Sequence, residues 1–308
     1  MKPLKDFLSL VRWPNIFFIV LTQCLFYYVL VPSIVPDFLQ NKSNFLFFLL
    51  IISTVFIAGA GYIINDYFDV KIDAINKPEK VIVGKRIKRR WAIFFHLFFS
   101  ILGLGTSIYV AWKSSWWLAL ANLICIFLLW IYSVKYKKEL AIGNFIIAAL
   151  TAWVILSVYV FVVGISGEAS IEWRAILLKY ALLYAGFAFI VTIIREVIKD
   201  MEDTEGDRQY HSNTMPIAWG IPTTKVFTAV WIIVCIGLLF SIIGYAIALN
   251  QWGIVAYILV ALIFPFFYLL YKLKQANSSK DYHALSTSVK IIMLLGILSM
   301  CIFLIPSF

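Results

Sequence analysis

What most limits the fold of this chain is a succession of nine apolar blocks, each close to twenty residues long, separated by short polar stretches. About 20 apolar residues cross a hydrocarbon core of roughly 30 Å as a helix. Lipid offers the backbone no hydrogen-bond partners, so only helices and closed barrels span it, and these blocks lack the period-two alternation of a barrel strand. The blocks predict spans over 14–34, 45–64, 91–111, 116–134, 140–163, 175–196, 224–247, 252–272 and 287–305. Composition agrees: with 63% hydrophobic and 14% charged residues, a 308-residue soluble fold could not bury its own apolar surface. The expected class is an all-α polytopic membrane protein.

A net charge of +10 raises the question of nucleic acid, but the basic residues are dealt out between apolar blocks and not gathered on a soluble module. Membrane orientation accounts for them better. With the N-terminus cytoplasmic and the C-terminus outside, only Lys42, Lys113, Arg174 and Lys179 fall on the outer face, the asymmetry that the positive-inside rule requires. This predicts a multi-pass protein of the plasma or inner membrane. Lys2 and Lys5 precede the first block without a small-residue cleavage site after it, so that block reads as a retained span. Cys24, Cys125, Cys235 and Cys301 each lie in an apolar block without paired spacing and read as packing residues. Trp112, Trp116 and Trp117 read as an interfacial anchor, and Asn41-Lys42-Ser43 matches a glycosylation triplet that is common by chance.

Two cytoplasmic connections, about 65–90 and 197–223, hold most of the sixteen acidic residues. At about 100° per residue on a helix, Asn65, Asp66, Asp69 and Asp73 share one face. If the sixth span continues as a helix, Glu196, Asp200, Asp203 and Asp207 fall within an arc of about 60°, although Gly206 is a point where that helix would break. Carboxylates so close repel unless a cation lies among them, and oxygen-only ligands suit Mg2+ better than zinc. A solvated acidic loop explains either cluster alone; two one-faced clusters four helices apart point to Mg2+ chelating a diphosphate ester. Their spacing suggests a single domain over 1–308 built from pseudo-repeat halves, about 1–138 and 139–273, plus the final helix 287–305.

Basic residues complete such a site. Lys135, Lys137 and Lys138 follow Tyr132 at the end of the fourth span, and Arg12 precedes the first. Lys85-Arg86-Ile87-Lys88-Arg89-Arg90 reads first as an anchor to anionic headgroups and second as a phosphate grip. No His-Cys or His-Glu pair has zinc spacing, and no Gly-rich phosphate loop is present.

The motif Asn65-Asp66-x-x-Asp69-x-x-x-Asp73, followed by Asn76-Lys77-Pro78, resembles the first signature of the UbiA superfamily of intramembrane prenyltransferases. Asp200-x-x-Asp203-x-x-x-Asp207 resembles the second, Tyr132-Ser133-x-x-x-Lys137 with Gly143-Asn144 the segment after helix four, and Arg12-x-x-Asn15 the start of helix one. The stretch Arg195 to Asp207 is most similar to the archaeal-type digeranylgeranylglyceryl phosphate synthases. One departure is that Lys77 and Lys80 stand where many relatives have Arg, and Val81 where they have a second Pro, which removes loop rigidity and a bidentate phosphate grip.

That resemblance implies Mg2+-dependent transfer of a geranylgeranyl group from its diphosphate to geranylgeranylglyceryl phosphate. Asn65, Asp66, Asp69, Asp73, Asp200, Asp203 and Asp207 are the expected metal ligands, and Arg12, Asn15, Tyr132, Lys135, Lys137, Arg195 and Lys199 the expected substrate contacts. The expected partners are a prenyl diphosphate, a lipid or aromatic acceptor and membrane lipids. Two rivals stand beside this reading: an aromatic acceptor of quinone synthesis, and a cation-coupled secondary transporter, for which intramembrane carboxylates would also be apt.

Overall fold

The computed structural model describes residues 2–35, 44–79, 81–167 and 171–304. The triplet Asn41-Lys42-Ser43 and Lys80 lie outside the described residues. Nine helices among the described residues are long and apolar enough to cross a membrane. In chain order the elements are α1 (Lys2–Leu10), α2 (Trp13–Ile34), α3 (Asn44–Asn76), α4 (Arg89–Lys113), α5 (Trp116–Val134), α6 (Ile142–Ile165), α7 (Ile171–Glu202), α8 (Thr204–Gln209), α9 (Met215–Ala218), α10 (Ile221–Ala248), α11 (Trp252–Gln275) and α12 (Ser279–Leu304). Among the described residues, extended pairing is confined to an isolated bridge between Val83 and Ile87.

The short α1 was not expected. Its apolar residues Leu4, Phe7, Leu8 and Leu10 are too few to span, and they divide between an outer face and a face on the protein. The last membrane helix also starts eight residues before the expected 287. Ser278 accepts a hydrogen bond from the Asp281 N–H while the Asp281 carboxylate accepts from the Ser278 backbone, and this reciprocal cap sets the helix start. The turn between α4 and α5 leaves Trp112, Trp116 and Trp117 exposed, as an interfacial anchor requires.

The chain packs as two compact units, residues 1–137 with 153–183 and residues 138–152 with 184–308. In the first, small residues let helices approach closely, the usual basis of association where lipid is as apolar as the interface. A Cβ on Gly61 would lie 2.7 Å from Leu129 of α5, and one on Gly103 would lie 2.7 Å from Ile57 of α3. Buried polar groups satisfy one another. Ser53 donates to the Gly103 carbonyl at 2.7 Å, Asn122 donates to Ser107 at 2.8 Å, and the Trp153 indole donates to Asn122 at 2.9 Å. The second unit has an apolar core of Ile194 and Ile198 from α7, Ile232 and Leu239 from α10, Phe266 and Leu269 from α11, and Val289 and Ile292 from α12.

Candidate active site

In the first unit α3 continues unbroken for 33 residues, carrying the whole Asn65–Asp73 motif, and stops at Asn76. Pro78 accounts for the stop, because a residue before proline is pushed out of helical geometry. The helix therefore delivers its acids on one face, as their spacing predicts. Asn65 is buried and its amide donates to Asp69 at 2.6 Å, while its own carbonyl oxygen is buried without a hydrogen-bond partner. Asp69 is only 3% exposed and is ion-paired with Lys137. Asp66 accepts from the Arg12 guanidinium at 2.9 Å, and the same guanidinium lies over the Tyr62 ring at 5.2 Å.

Arg12 occupies the left-handed turn between α1 and α2, at φ 52°, and Lys137 a tight turn over Tyr136–Lys138 after α5. Burial disfavours the Lys137 charge, but Asp69, assisted by Tyr132 and Asp73, outweighs it and holds the ammonium pKa above the ordinary lysine value. The Arg12 pKa is likewise raised: burial opposes the charge, and Asp66 with Tyr62 more than offsets it. Both side chains stay cationic at every physiological pH. Asn15 is half-buried one turn along, its backbone N–H donating to the Arg12 carbonyl at 2.8 Å. Lys135 is exposed, its ammonium 5.6 Å from the Tyr136 ring and turned to no acid of the motif.

The second cluster differs from the continuous helix considered above. α7 ends at Glu202, Asp203 occupies the bridge region at φ −97°, ψ 8°, and α8 restarts at Thr204 with Asp207 inside it. The break falls three residues before Gly206, which is buried within α8. Across the break the Thr204 hydroxyl donates to the Asp200 carbonyl at 3.0 Å and the Met201 carbonyl at 3.1 Å. Asp200 accepts from the Asn144 amide at 2.8 Å and interacts electrostatically with Asp207 and Glu196. The Thr214 hydroxyl donates to Asp207 at 3.5 Å. Arg195 and Lys199 both donate to Glu196, at 2.6 and 2.9 Å.

Tyr62 is a site neighbour that the sequence pattern did not mark, while Glu196 was placed in the acidic arc and Asn144 in the segment after helix four without either being assigned as a ligand or substrate contact. The Glu196 to Lys199 spacing of three was a visible signal, since residues so spaced meet on a helix surface. Nothing local connects Asn144 to Asp200, which lies 56 residues away.

Among the described residues no three Asp, Glu, His or Cys side chains converge closely enough to enclose an ion unaided. In the first unit Arg12 and Lys137 already pair with two of the carboxylates, Asp66 and Asp69. The donor set nevertheless fits a hard divalent cation: carboxylate oxygens beside the buried, unsatisfied Asn65 Oδ1.

Comparison with known proteins identifies the family. The chain is 30% identical to the digeranylgeranylglyceryl phosphate synthase of Methanosphaera stadtmanae, over 80% of this chain and 83% of that one. It is 31% identical to the synthase of that name from Methanococcus aeolicus, over 88% of this chain and 90% of that one. A solved digeranylgeranylglyceryl phosphate synthase matches with a TM-score of 0.65 and 25% identity over 98% of each chain. A UbiA homolog from Archaeoglobus fulgidus, solved with DMAPP and Mg2+, shares the fold, with a TM-score of 0.56 and 17% identity over 96% of this chain and 99% of that one. The model of the UbiA prenyltransferase family matches residues 20–298. This integral membrane chain therefore belongs to the UbiA prenyltransferase family and is an intramembrane prenyltransferase.

Proposed function

We propose that the enzyme transfers a geranylgeranyl group from geranylgeranyl diphosphate to the free hydroxyl of geranylgeranylglyceryl phosphate, forming an ether and releasing diphosphate. The observation that carries this reading is the Asn65–Asp66–Asp69 cluster with Arg12 and Lys137 drawn onto it from two other elements. Oxygen donors for a divalent ion and cations for a phosphate thus occupy one place. The choice of acceptor rests on the relatives, which carry the name of that synthase at about 30% identity over most of the chain.

Asn65, Asp66, Asp69 and Asp73 would hold Mg2+ in the first unit, and Asp200, Asp203 and Asp207 would do so in the second. Bound there, Mg2+ would supply a Lewis acid for the diphosphate oxygens. The protein's own contribution is electrostatic. When a diphosphate arrives, Arg12 and Lys137 exchange their carboxylate partners for phosphate oxygens and stabilise the charge that builds on the leaving group. Asn15, Tyr132, Lys135, Arg195 and Lys199 are assigned to the same substrate. In each unit the motif lies where an apolar helix, α3 or α7, meets its polar end, so that an isoprenoid chain can lie along the helix while its head stays at the polar boundary. The distribution of Lys and Arg supports placing that boundary on the cytoplasmic face of the cell membrane, with the N-terminus on the same side.

The test is turnover of the purified protein with labelled geranylgeranyl diphosphate against geranylgeranylglyceryl phosphate and a panel of hydroxybenzoate and naphthoate acceptors. The expected result is ether product with the glyceryl phosphate alone, abolished by EDTA and restored by Mg2+. Product only with an aromatic acceptor overturns the acceptor assignment, and full activity in EDTA overturns the metal assignment.

A further inference from the structure

The basic run Lys85–Arg90 takes no part in the cluster just described. It lies on a compact loop. Val81, Ile82 and Val83 are buried, Gly84 turns at φ 85°, the Gly84 N–H donates to the Ile87 carbonyl at 2.8 Å, and Lys85 donates to the Pro78 carbonyl at 2.9 Å. Burial of the three apolar residues thus fixes a loop in which the second proline of many relatives is missing. Arg89 turns back over the Tyr67 ring at 4.4 Å. Arg86, Ile87 and Lys88, with Trp91 and Phe95 from the first turns of α4, line a shallow depression of ≈ 420 Å³ that is largely open to its surroundings.

The lining is divided by chemistry. Arg86 and Lys88 supply its cations, and Ile87, Trp91 and Phe95 its apolar side chains. Arg86 spends one terminal nitrogen on Asp6 of α1 at 2.7 Å, which leaves further guanidinium donors, and Lys88 has no ion pair among the described residues. The level of the depression is set by two independent features. It straddles the start of a membrane-spanning helix, where Trp91 is exposed as interfacial tryptophans are. Beside it α1 packs Phe7 edge-on against Phe95, ring centroids 5.7 Å apart, and leaves Leu4 and Leu8 outward on one face, the arrangement of a helix lying in the headgroup layer.

We propose that this depression is a binding site for one phosphate-headed lipid, its phosphate held by Arg86 and Lys88 and its first chain carbons laid against Ile87, Trp91 and Phe95. The lipid is either an anionic phospholipid of the surrounding membrane or a phosphorylated prenylglycerol. Both share the chemistry the depression selects, and the site does not depend on the acceptor assigned above, since occupancy is read without turnover.

The experiment uses the full chain, delipidated in a zwitterionic detergent, with bound lipid counted by native mass spectrometry during titration with phosphatidic acid, phosphatidylcholine or inorganic phosphate. The expected result is saturable binding of one phosphatidic acid, at least fivefold tighter than phosphatidylcholine. Lys88→Gln and Trp91→Ala should each weaken it about five- to tenfold, Lys88→Arg should restore it, and Arg90→Gln, outside the depression, should leave it unchanged. Displacement by a phosphorylated prenylglycerol, with a raised KM for that lipid in Lys88→Gln, would identify the source as an acceptor. Failure to displace would identify it as a membrane phospholipid. Equal loss in Arg90→Gln, equal binding of phosphatidylcholine, displacement by inorganic phosphate at matched concentration, or unchanged affinity in Lys88→Gln each overturns the proposal.

Discussion

The two acidic clusters carry the same spacing of aspartates, Asp66, Asp69 and Asp73 in one and Asp200, Asp203 and Asp207 in the other, yet the structure treats them differently. The first is on one continuous helix, and its charge is met by cations 54 and 68 residues away in sequence. The second is divided by a helix break, and Asp200 receives a neutral amide. Arg195 and Lys199 are engaged with Glu196 on their own helix, and Lys199 also acts on Asp200 electrostatically. An ammonium offsets a carboxylate's charge, whereas an amide only donates a hydrogen bond to it. The first cluster is therefore held closed by its own counterions, and a ligand must displace them. The second requires no such exchange at Asp200.

Four experiments can break or sharpen that contrast. The largest effect is expected from Asp69→Asn, which removes a proposed Mg2+ ligand and strands the Lys137 ammonium. The kcat/KM for prenyl diphosphate should fall at least ~10³-fold, and Asp200→Asn should fall less, about 10²-fold by the same reasoning. Equal losses would mean that counterion pairing does not distinguish the clusters. Next, Lys137→Gln should lower kcat about 10²-fold with partial rescue by Lys137→Arg; a change confined to KM would show that the lysine binds the ground state only. Asn144→Ala should cost about tenfold in kcat/KM, the worth of one hydrogen bond to a carboxylate. Activity within twofold of wild type there would show that the amide does not position Asp200. The smallest effect concerns α12, whose first residue, Ser279, donates to the Glu202 carbonyl at 3.1 Å and whose His283 pairs with Glu202 at 2.9 Å, beside the break. Ser278→Ala should destabilise by about 1 kcal/mol in thermal unfolding and leave kcat/KM within twofold. A larger kinetic loss would mean that α12 maintains the break itself.

Much of the first cluster was legible because its information is local. Four residues on one regular helix share a face whatever the rest of the chain does, and Pro78 marks where that helix must stop. The second was less so. Thr204 and Gly206 both stand in the segment, and only the structure shows that the interruption falls at Asp203, three residues before the glycine. The start of α12 was misplaced because Ser278 and Asp281 cap it within a stretch too polar to resemble a membrane span. Such caps depend on which backbone donors are left over, not on hydropathy.

The sequence by itself determined the class of the molecule and its membrane helices, since both follow from short-range pattern: about twenty apolar residues span lipid. Tertiary structure alone decided which cation meets which acid. Arg12 reaches Asp66, Lys137 reaches Asp69 and Asn144 reaches Asp200 across separations of 54 to 68 residues. No periodicity encodes such pairs, because they are chosen by where packed helices end and by the cost of leaving a buried charge without a partner.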